Sequence, residues 1–424
     1  MKTFFRKLVL RFLRFLAKVR LKRLRPFVIG VTGSVGKTST KDAIYTLLRT
    51  RYNVVRNEKS FNSEFGLPLA ILEQPSGFSS ALDWASILFK GFWKAFVGGK
   101  HLQMMVLEMG VDKPGDMVDL LKLVKPQIVV MTNIKPVHLG EGQFKDLDDI
   151  FLEKKKLVEA LPEKGIAVLN ADDPYIMQLR DTLLCKKLLY GGSEIADVRI
   201  LEAESTLQGI SCTIQYKDEV AQGNFALIGG FQAYVLLPAI TVGLTQGFTL
   251  QECMGGLKDF TPPPGRMTMI PGIQNSTILD STYNASPEAM KEALNLLREV
   301  APARKIAVLG NMNELGEKTE EFHRELGRYA GKRADVLVTV GDLAHFISEE
   351  AQKEGFSVQD IYHYEGADDA AKFLAGFVQS GDTILVKGSQ NRVRLERLVM
   401  ALMADPSKAE ELLARQEKHW KAIQ

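Results

Sequence analysis

The chain has 424 residues, of which 46% are hydrophobic and 25% charged, with a formal net charge of +3. This is globular composition, long enough for about two or three domains and a sizeable core, and too nearly neutral for a general polyanion-binding role such as nucleic-acid binding. Its cysteines, Cys185, Cys212 and Cys253, are odd in number and widely spaced, which argues against a disulfide framework and a CxxC metal site and suits a reducing cytoplasm.

The first 25 residues contain ten Lys or Arg and no acid. Lys7, Arg11, Arg14, Lys18, Lys22 and Arg25 recur at three- and four-residue steps, and Leu8, Phe12, Phe15 and Val19 do so on another face. Residues 1–26 are therefore predicted as a basic amphipathic helix. Charges interrupt every apolar stretch and no small-residue cleavage site follows, so the segment is not a signal peptide and should remain on the mature protein. Two readings stand: the helix lies in an anionic membrane surface, or it packs on the protein's own core with a solvated basic face.

Val28 to Val31 then reads as a buried strand running into Gly33-Ser34-Val35-Gly36-Lys37-Thr38-Ser39 and a helix, the layout of a phosphate-binding loop. Glycines let the backbone approach phosphates, N–H groups at the helix start face the anion, Lys37 adds charge, and the Thr38 hydroxyl can ligate Mg²⁺. The usual pattern has glycine five residues before Gly36, where this chain has Val31, so the loop is a variant. The competing reading is a tight turn between strand and helix.

Lys41 to Arg51 continues that helix and Asn53 to Val55 reads as the next strand. Met104–Leu107, Ile128–Met131 and Ile166–Leu169 are short apolar runs, as expected for parallel strands covered on both faces. Between them, in an insertion over residues 76–101, Ala81 to Val97 is aromatic-rich with Lys90 and Lys94, resembles an interfacial helix, and is too short and too charged to span a bilayer. Alternating segments from Val198 to Ile228 predict a small antiparallel patch. Pro262-Pro263-Pro264-Gly265 makes a stiff break, after which Thr277–Asp280, Ile306–Gly310, Val336–Gly341 and Thr383–Lys387 restart an α/β alternation. The predicted fold is α/β: a central P-loop-type, mostly parallel sheet domain over residues 27–265, then a Rossmann-like α/β C-terminal domain over 266–424.

Further stretches complete a set: Ser60-Phe61-Asn62-Ser63-Glu64-Phe65-Gly66-Leu67-Pro68, Leu107-Glu108-Met109-Gly110, Thr132-Asn133-Ile134 with His138-Leu139, Leu169-Asn170-Ala171-Asp172-Asp173, Pro264-Gly265-Arg266, Asp280 to Pro287, Leu309 to Gly316, and Leu385-Val386-Lys387-Gly388-Ser389. In this order the chain resembles the Mur ligases, most of all the branch that adds D-alanyl-D-alanine to a UDP-N-acetylmuramoyl tripeptide, over roughly residues 27 to 400. Joining a carboxylate to an amine at neutral pH requires an activated carboxylate, and an acyl phosphate made with ATP supplies it. The resemblance implies an ADP-forming, ATP- and Mg²⁺-dependent peptide ligase of cell-wall precursor synthesis. It also implies residence in the cytoplasm, with attachment to the inner face of the cytoplasmic membrane and a lipid-linked acceptor as an open extension.

The same resemblance implies the site. Lys37, Lys154, His138 and Arg266 would be catalytic. Thr38, Ser60, Glu108, His138 and a CO₂-derived carbamate on Lys154 would hold metal, although Glu153-Lys154-Lys155-Lys156 read by itself is a solvated helix face. Gln232, Arg266, Asp280 and Asn284 would join the loop in binding nucleotide; by themselves Asp280-Ser281 is an Asx turn and Arg266 a surface ion pair. Asn62, Asn313, Glu314, Lys387 and Ser389 would meet the peptide or amino-acid substrates. The chain departs from the family in having Gly229-Gly230-Phe231-Gln232 where a Gly-x-His-Asn run is common, and only the basic helix stands before the loop, where the family carries a UDP-sugar-binding domain. Two rivals remain: a folylpolyglutamate-synthase-like ligase, and a nucleotide-gated, membrane-associated partner protein without ligase activity.

Overall fold

Strands of three to nine residues, separated by turns and helices, assemble into two sheets in a computed structural model that describes residues 2–57, 64–75, 81–99, 101–140, 142–389, 393–417 and Trp420. The N-terminal part runs α1 (Lys2–Leu24), β1 (Phe27–Thr32), α2 (Lys37–Leu48), β2 (Val54–Arg56), α3 (Gly66–Ile71), α4 (Ala81–Phe96), β3 (Met104–Glu108), α5 (Asp116–Leu121), β4 (Ile128–Met131), α6 (Leu147–Glu159), β5 (Ile166–Asn170), β6 (Lys186–Gly191), β7 (Val198–Thr206), β8 (Gly209–Tyr216) and β9 (Glu219–Phe225). Its nine strands are ordered β2-β3-β1-β4-β5-β6-β7-β8-β9. Pairing is parallel up to β7 and antiparallel over β7, β8 and β9, which is the predicted patch. Strand β6 escapes the sequence reading because Lys186 and Lys187 blur its apolar run, yet it joins the parallel and antiparallel portions.

The second sheet contains β10 (Thr268–Pro271), β11 (Thr277–Ser281), β12 (Lys305–Gly310), β13 (Val336–Val340), β14 (Ile361–Tyr364) and β15 (Thr383–Lys387), ordered β10-β11-β15-β12-β13-β14. All pairs are parallel except β10 with β11. The unpredicted strands, β10 and β14, are the two edges. One ends in Pro271, which an edge tolerates, and the other is the half-polar Ile361-Tyr362-His363-Tyr364.

Helices cover both faces of the first sheet, α2 with Ala233–Thr245 and Leu250–Leu257 on one side, α1, α3, α5 and α6 on the other. In α1 the packed stripe is Val9, Leu13, Leu16, Ala17 and Arg20. The stripe singled out from sequence is a different one and is not the side that packs on the core: Leu8, Phe12 and Phe15 are exposed and Val19 is half-buried. The helix carries two apolar stripes, and the one with Ala17 is buried in the core. Arg20 is fully buried, donating to the Ile71 carbonyl at 2.6 Å and pairing with Glu73, which Lys94 of α4 also reaches at 2.9 Å.

Candidate active site

Strand β1 lies between β3 and β4, so the carboxyl ends of three parallel strands open toward the loop after Thr32. Gly33 has φ +137°, and a Cβ there would meet Thr132 Oγ1 at 2.0 Å. Gly36, at φ +82°, is the N-cap of α2 and contributes no side-chain cap. The first turn of α2, with Lys37, Thr38 and the buried Ser39, therefore presents N–H groups that no carbonyl of the helix accepts, as an anion site requires. Ser34 and Val35 differ from expectation. Their N–H groups donate to the carbonyl and side-chain oxygens of Asn133, both at 2.8 Å, because the segment after β4 runs alongside the loop.

Thr38 ties several elements together. Its hydroxyl donates to Glu108 Oε2 at 2.8 Å and accepts from Arg266 Nη2 at 3.0 Å. Glu108 is buried as the last residue of β3 and is held by Asn57 Oδ1, which accepts its N–H at 2.9 Å. Arg266 is half-buried and also lies over the Tyr283 ring, 4.0 Å from its centroid, which holds it at the junction and off the open surface. A hydroxyl and a carboxylate 2.8 Å apart at a phosphate loop match what Mg²⁺ takes from a protein when phosphates and water supply its other ligands. Among the described residues no group of three or more His, Cys, Asp or Glu forms a metal cage.

Lys154 overturns the bare reading of a solvated helix face. On α6 it is fully buried, and its amine has no hydrogen-bond partner among the described residues. Burial, reinforced by the nearby Lys37 charge, lowers the Lys154 amine to about 7. Lys37 is lowered by burial as well and donates to the Ser34 carbonyl at 2.9 Å. The neighbouring Glu153 is also buried, spending its carboxylate on the Met117 N–H at 2.7 Å and on Lys156 at 2.6 Å.

His138 does not directly follow its strand. It lies in the loop beyond β4 with φ +57°. Nδ1 is 2.8 Å from Glu314 Oε2 and Nε2 is 3.5 Å from Asp112 Oδ1. Glu314, expected at the substrate, thus reaches from the second sheet's side to the first. Its φ is also positive, +62°, and the Leu139 N–H donates to its carbonyl at 3.2 Å.

The remaining candidates surround β11 and β15. Asp280 is fully buried at the end of β11. One oxygen accepts the Thr282 N–H at 3.0 Å in an Asx turn, the other has no partner among the described residues, and burial pushes the carboxyl up to about 6. Lys387 donates to Ser281 Oγ at 3.0 Å and to the Asn284 carbonyl at 2.9 Å, and burial lowers its amine to about 8. The Asn284 side is exposed. Ser389 Oγ accepts the Asn313 N–H at 3.0 Å and donates to the Ala285 carbonyl at 3.2 Å. Gln232 donates to the Arg266 carbonyl at 3.2 Å, positioning the arginine's backbone. Ser60 and Asn62 lie outside the described residues. Sequence reasoning missed Asn57 and Asp112, whose only signals were an amide after an extended run and an acid four residues beyond Glu108.

Comparison with known families decides what this site belongs to. The family described as Mur ligase middle domain matches residues 31–243, and that described as Mur ligase, glutamate ligase domain, matches residues 265–390. The chain belongs to the Mur ligase family. The UDP-N-acetylmuramoyl-tripeptide--D-alanyl-D-alanine ligase of Bacillus subtilis is 30% identical over 396 residues, 92% of this Mur ligase and 79% of that protein. The Escherichia coli ligase of the same name is 27% identical over 379 residues, 88% of this chain and 76% of its own. The MurF ligase of Thermotoga maritima, solved in complex with ADP, superposes with a TM-score of 0.76 at 28% identity, covering 95% of this chain and 84% of that one. Mycobacterium tuberculosis folylpolyglutamate synthase, at 16% identity and a TM-score of 0.63 over 89% of this chain and 92% of its own, shares the fold alone.

Proposed function

We propose that this Mur ligase joins D-alanyl-D-alanine, or a closely similar amine, to the terminal carboxylate of a peptide-bearing cell-wall precursor such as a UDP-N-acetylmuramoyl tripeptide. ATP first phosphorylates the carboxylate, and the amine then displaces phosphate. The observation that carries this reading is the single Thr38 hydroxyl held between Glu108 of the phosphate-loop sheet and Arg266 at the start of the second. The name and the ADP complex of the relatives above support it, as do the two separate sheets for a division into residues 1–26, 27–265 with an insertion at 76–101, and 266–424.

Each residue has a task in this reading. The loop from Gly33 to Ser39 cradles the ATP phosphates, and Lys37 and Arg266 place positive charge where it builds up during phosphoryl transfer. Gln232, Asp280 and Asn284 line the nucleoside side. Thr38, Ser60 and Glu108 would hold one Mg²⁺, His138 and a carbamate on Lys154 a second, and the ions would neutralise phosphate charge. A buried lysine amine lowered to about 7 suits carbamylation: the ammonium gives up one proton, the neutral Nζ attacks CO₂, an N–C bond forms and a second proton leaves, so a cation becomes a carboxylate. Asn62, Asn313, Glu314, Lys387 and Ser389 orient acceptor and amine.

Cytoplasmic residence, where ATP and nucleotide-linked precursors are available, belongs to this reading. So does peripheral attachment at the inner face of the cytoplasmic membrane, which would bring the enzyme to a lipid-borne acceptor. The test is release of ADP with UDP-N-acetylmuramoyl tripeptide or its lipid-linked counterpart plus D-alanyl-D-alanine, and in parallel with a folate plus glutamate, with product mass read by spectrometry. Dipeptide addition is expected. Glutamate addition to the folate alone, or no ADP release with any pair, would overturn the assignment.

A further inference from the structure

Helices α1 and α4 place an unusual surface on one side of the enzyme. With the inner stripe of α1 buried, Leu8, Phe12 and Phe15 remain exposed, and on α4 the side chains of Phe89, Phe92, Trp93 and Phe96 are 75, 51, 58 and 43% exposed. Scattered apolar side chains are normal on a protein surface, but seven large ones on two touching helices are not.

The contacts fix how the two sets adjoin. Arg23 continues the Leu8, Phe12, Phe15, Val19 stripe by the same helical steps, and its guanidinium donates to the Ala95 and Lys94 carbonyls at 2.9 and 3.1 Å. Helix α4 therefore lies along the side of α1 that carries the exposed stripe, and its aromatic residues extend that stripe. On the stripe's other flank Lys7, Arg11, Lys18, Lys22 and Arg25 are exposed, and Lys90 is exposed on α4. Ten of the chain's 54 Lys and Arg lie in the first 25 residues, which have no acid, so the remainder is net acidic against 51 Asp and Glu. The molecule's positive end is this surface.

From this arrangement we infer that the α1–α4 surface docks on an anionic phospholipid bilayer, with the Phe and Trp side chains in the interfacial layer and the α1 cations among the headgroups. This deepens the reading of peripheral attachment and rests on it. The basic rim selects anionic lipid over a neutral surface, and the absence of acids along α1 disfavours a second copy, whose equivalent face would be equally basic. No helix among the described residues is long and apolar enough to cross a membrane, which suits a surface that lies on the bilayer. The far end of the surface is tied together at Phe65. Arg6 of α1 lies over the Phe65 ring, 5.4 Å from its centroid, and Trp84 of α4 meets the same ring at 5.8 Å.

The experiment uses the full chain with vesicles of phosphatidylcholine, with and without phosphatidylglycerol, read by sedimentation and tryptophan emission. Wild type should bind anionic vesicles, bind more weakly as salt rises, and shift its emission to the blue. The pair Phe92→Ser with Trp93→Ser should lose most binding at every salt concentration. Lys7→Ala and Lys18→Ala should each weaken binding about fivefold at low salt. ADP release in solution, measured on the same variants, should be unchanged and certifies their fold. Undiminished anionic binding by all variants overturns this surface and leaves attachment standing. No binding by wild type overturns both, and a dimer abolished by the Phe92 and Trp93 changes without vesicle binding would make a second copy the occupant.

Discussion

Thr38 and Arg266, separated by 228 positions in the chain, share one hydrogen bond of 3.0 Å across the junction between the two sheets. The same hydroxyl donates to Glu108, so the arginine's position is tied to the nucleotide loop before any nucleotide arrives. Arg266→Ala should raise KM for ATP about tenfold or more and lower kcat, since charge-assisted bonds are worth about 1.5–3 kcal/mol, with little change in urea unfolding. Unchanged steady-state kinetics would remove the arginine from the phosphate site.

Lys37→Ala is expected to abolish ATP turnover while leaving the circular dichroism spectrum intact. Its amine donates to one loop carbonyl and is lowered by burial, so it adds no net stability that its loss would expose. An ADP-release assay showing wild-type turnover would refute the phosphate-loop role.

Lys154 should reveal itself by opposing effects. Lys154→Met replaces a buried amine without a partner by an apolar chain of similar length, and is expected to stabilise the fold by about 1–3 kcal/mol while ending ligation. Lys154→Ala should recover part of its activity with added acetate, whereas Lys155→Ala, on the partly exposed part of α6, should be near silent. Equal losses at 154 and 155, without rescue, would exclude the carbamate.

The Arg20–Glu73 pair predicts how α1 responds to acid. Burial alone would raise the Glu73 carboxyl, but hydrogen bonds from Arg20 and Lys94 hold it below its ordinary value. A depressed carboxyl contributes stability that is complete above its unfolded value, about 4.3, and is lost as pH falls through the lower folded value. Unfolding midpoints in urea should therefore decline more steeply below about pH 4 for wild type than for Glu73→Gln. Arg20→Met, which strips Glu73 of a buried partner, should cost about 3 kcal/mol at neutral pH.

Much of this molecule was readable before any coordinates. A strand, two glycines and a Lys-Thr pair announce the loop because each residue meets a local demand, and the apolar runs around Val106, Val129 and Val308 could be little other than buried parallel strands. Three kinds of feature escaped. Edge strands such as Ile361–Tyr364 are half-solvated and lose their pattern. The choice between two apolar stripes on α1 depends on what α3 offers as a partner. The burial of Lys154 among neighbours from Lys37 to Asp112 is a tertiary fact that its own lysine-rich helix disguises.

Asn133 touches the loop at both edges of one residue, accepting from the Val35 N–H at 2.8 Å and donating to the Val35 carbonyl at 3.1 Å. A side-chain amide here completes a miniature ladder rung that the strand itself no longer provides. The loop consequently forfeits its freedom when the protein folds and not when ATP binds, so the entropic cost of shaping it is charged against folding. Nucleotide should thus meet a receptor already cast, and a change at Asn133 would weaken ATP binding from a position outside the glycine-lysine-threonine motif.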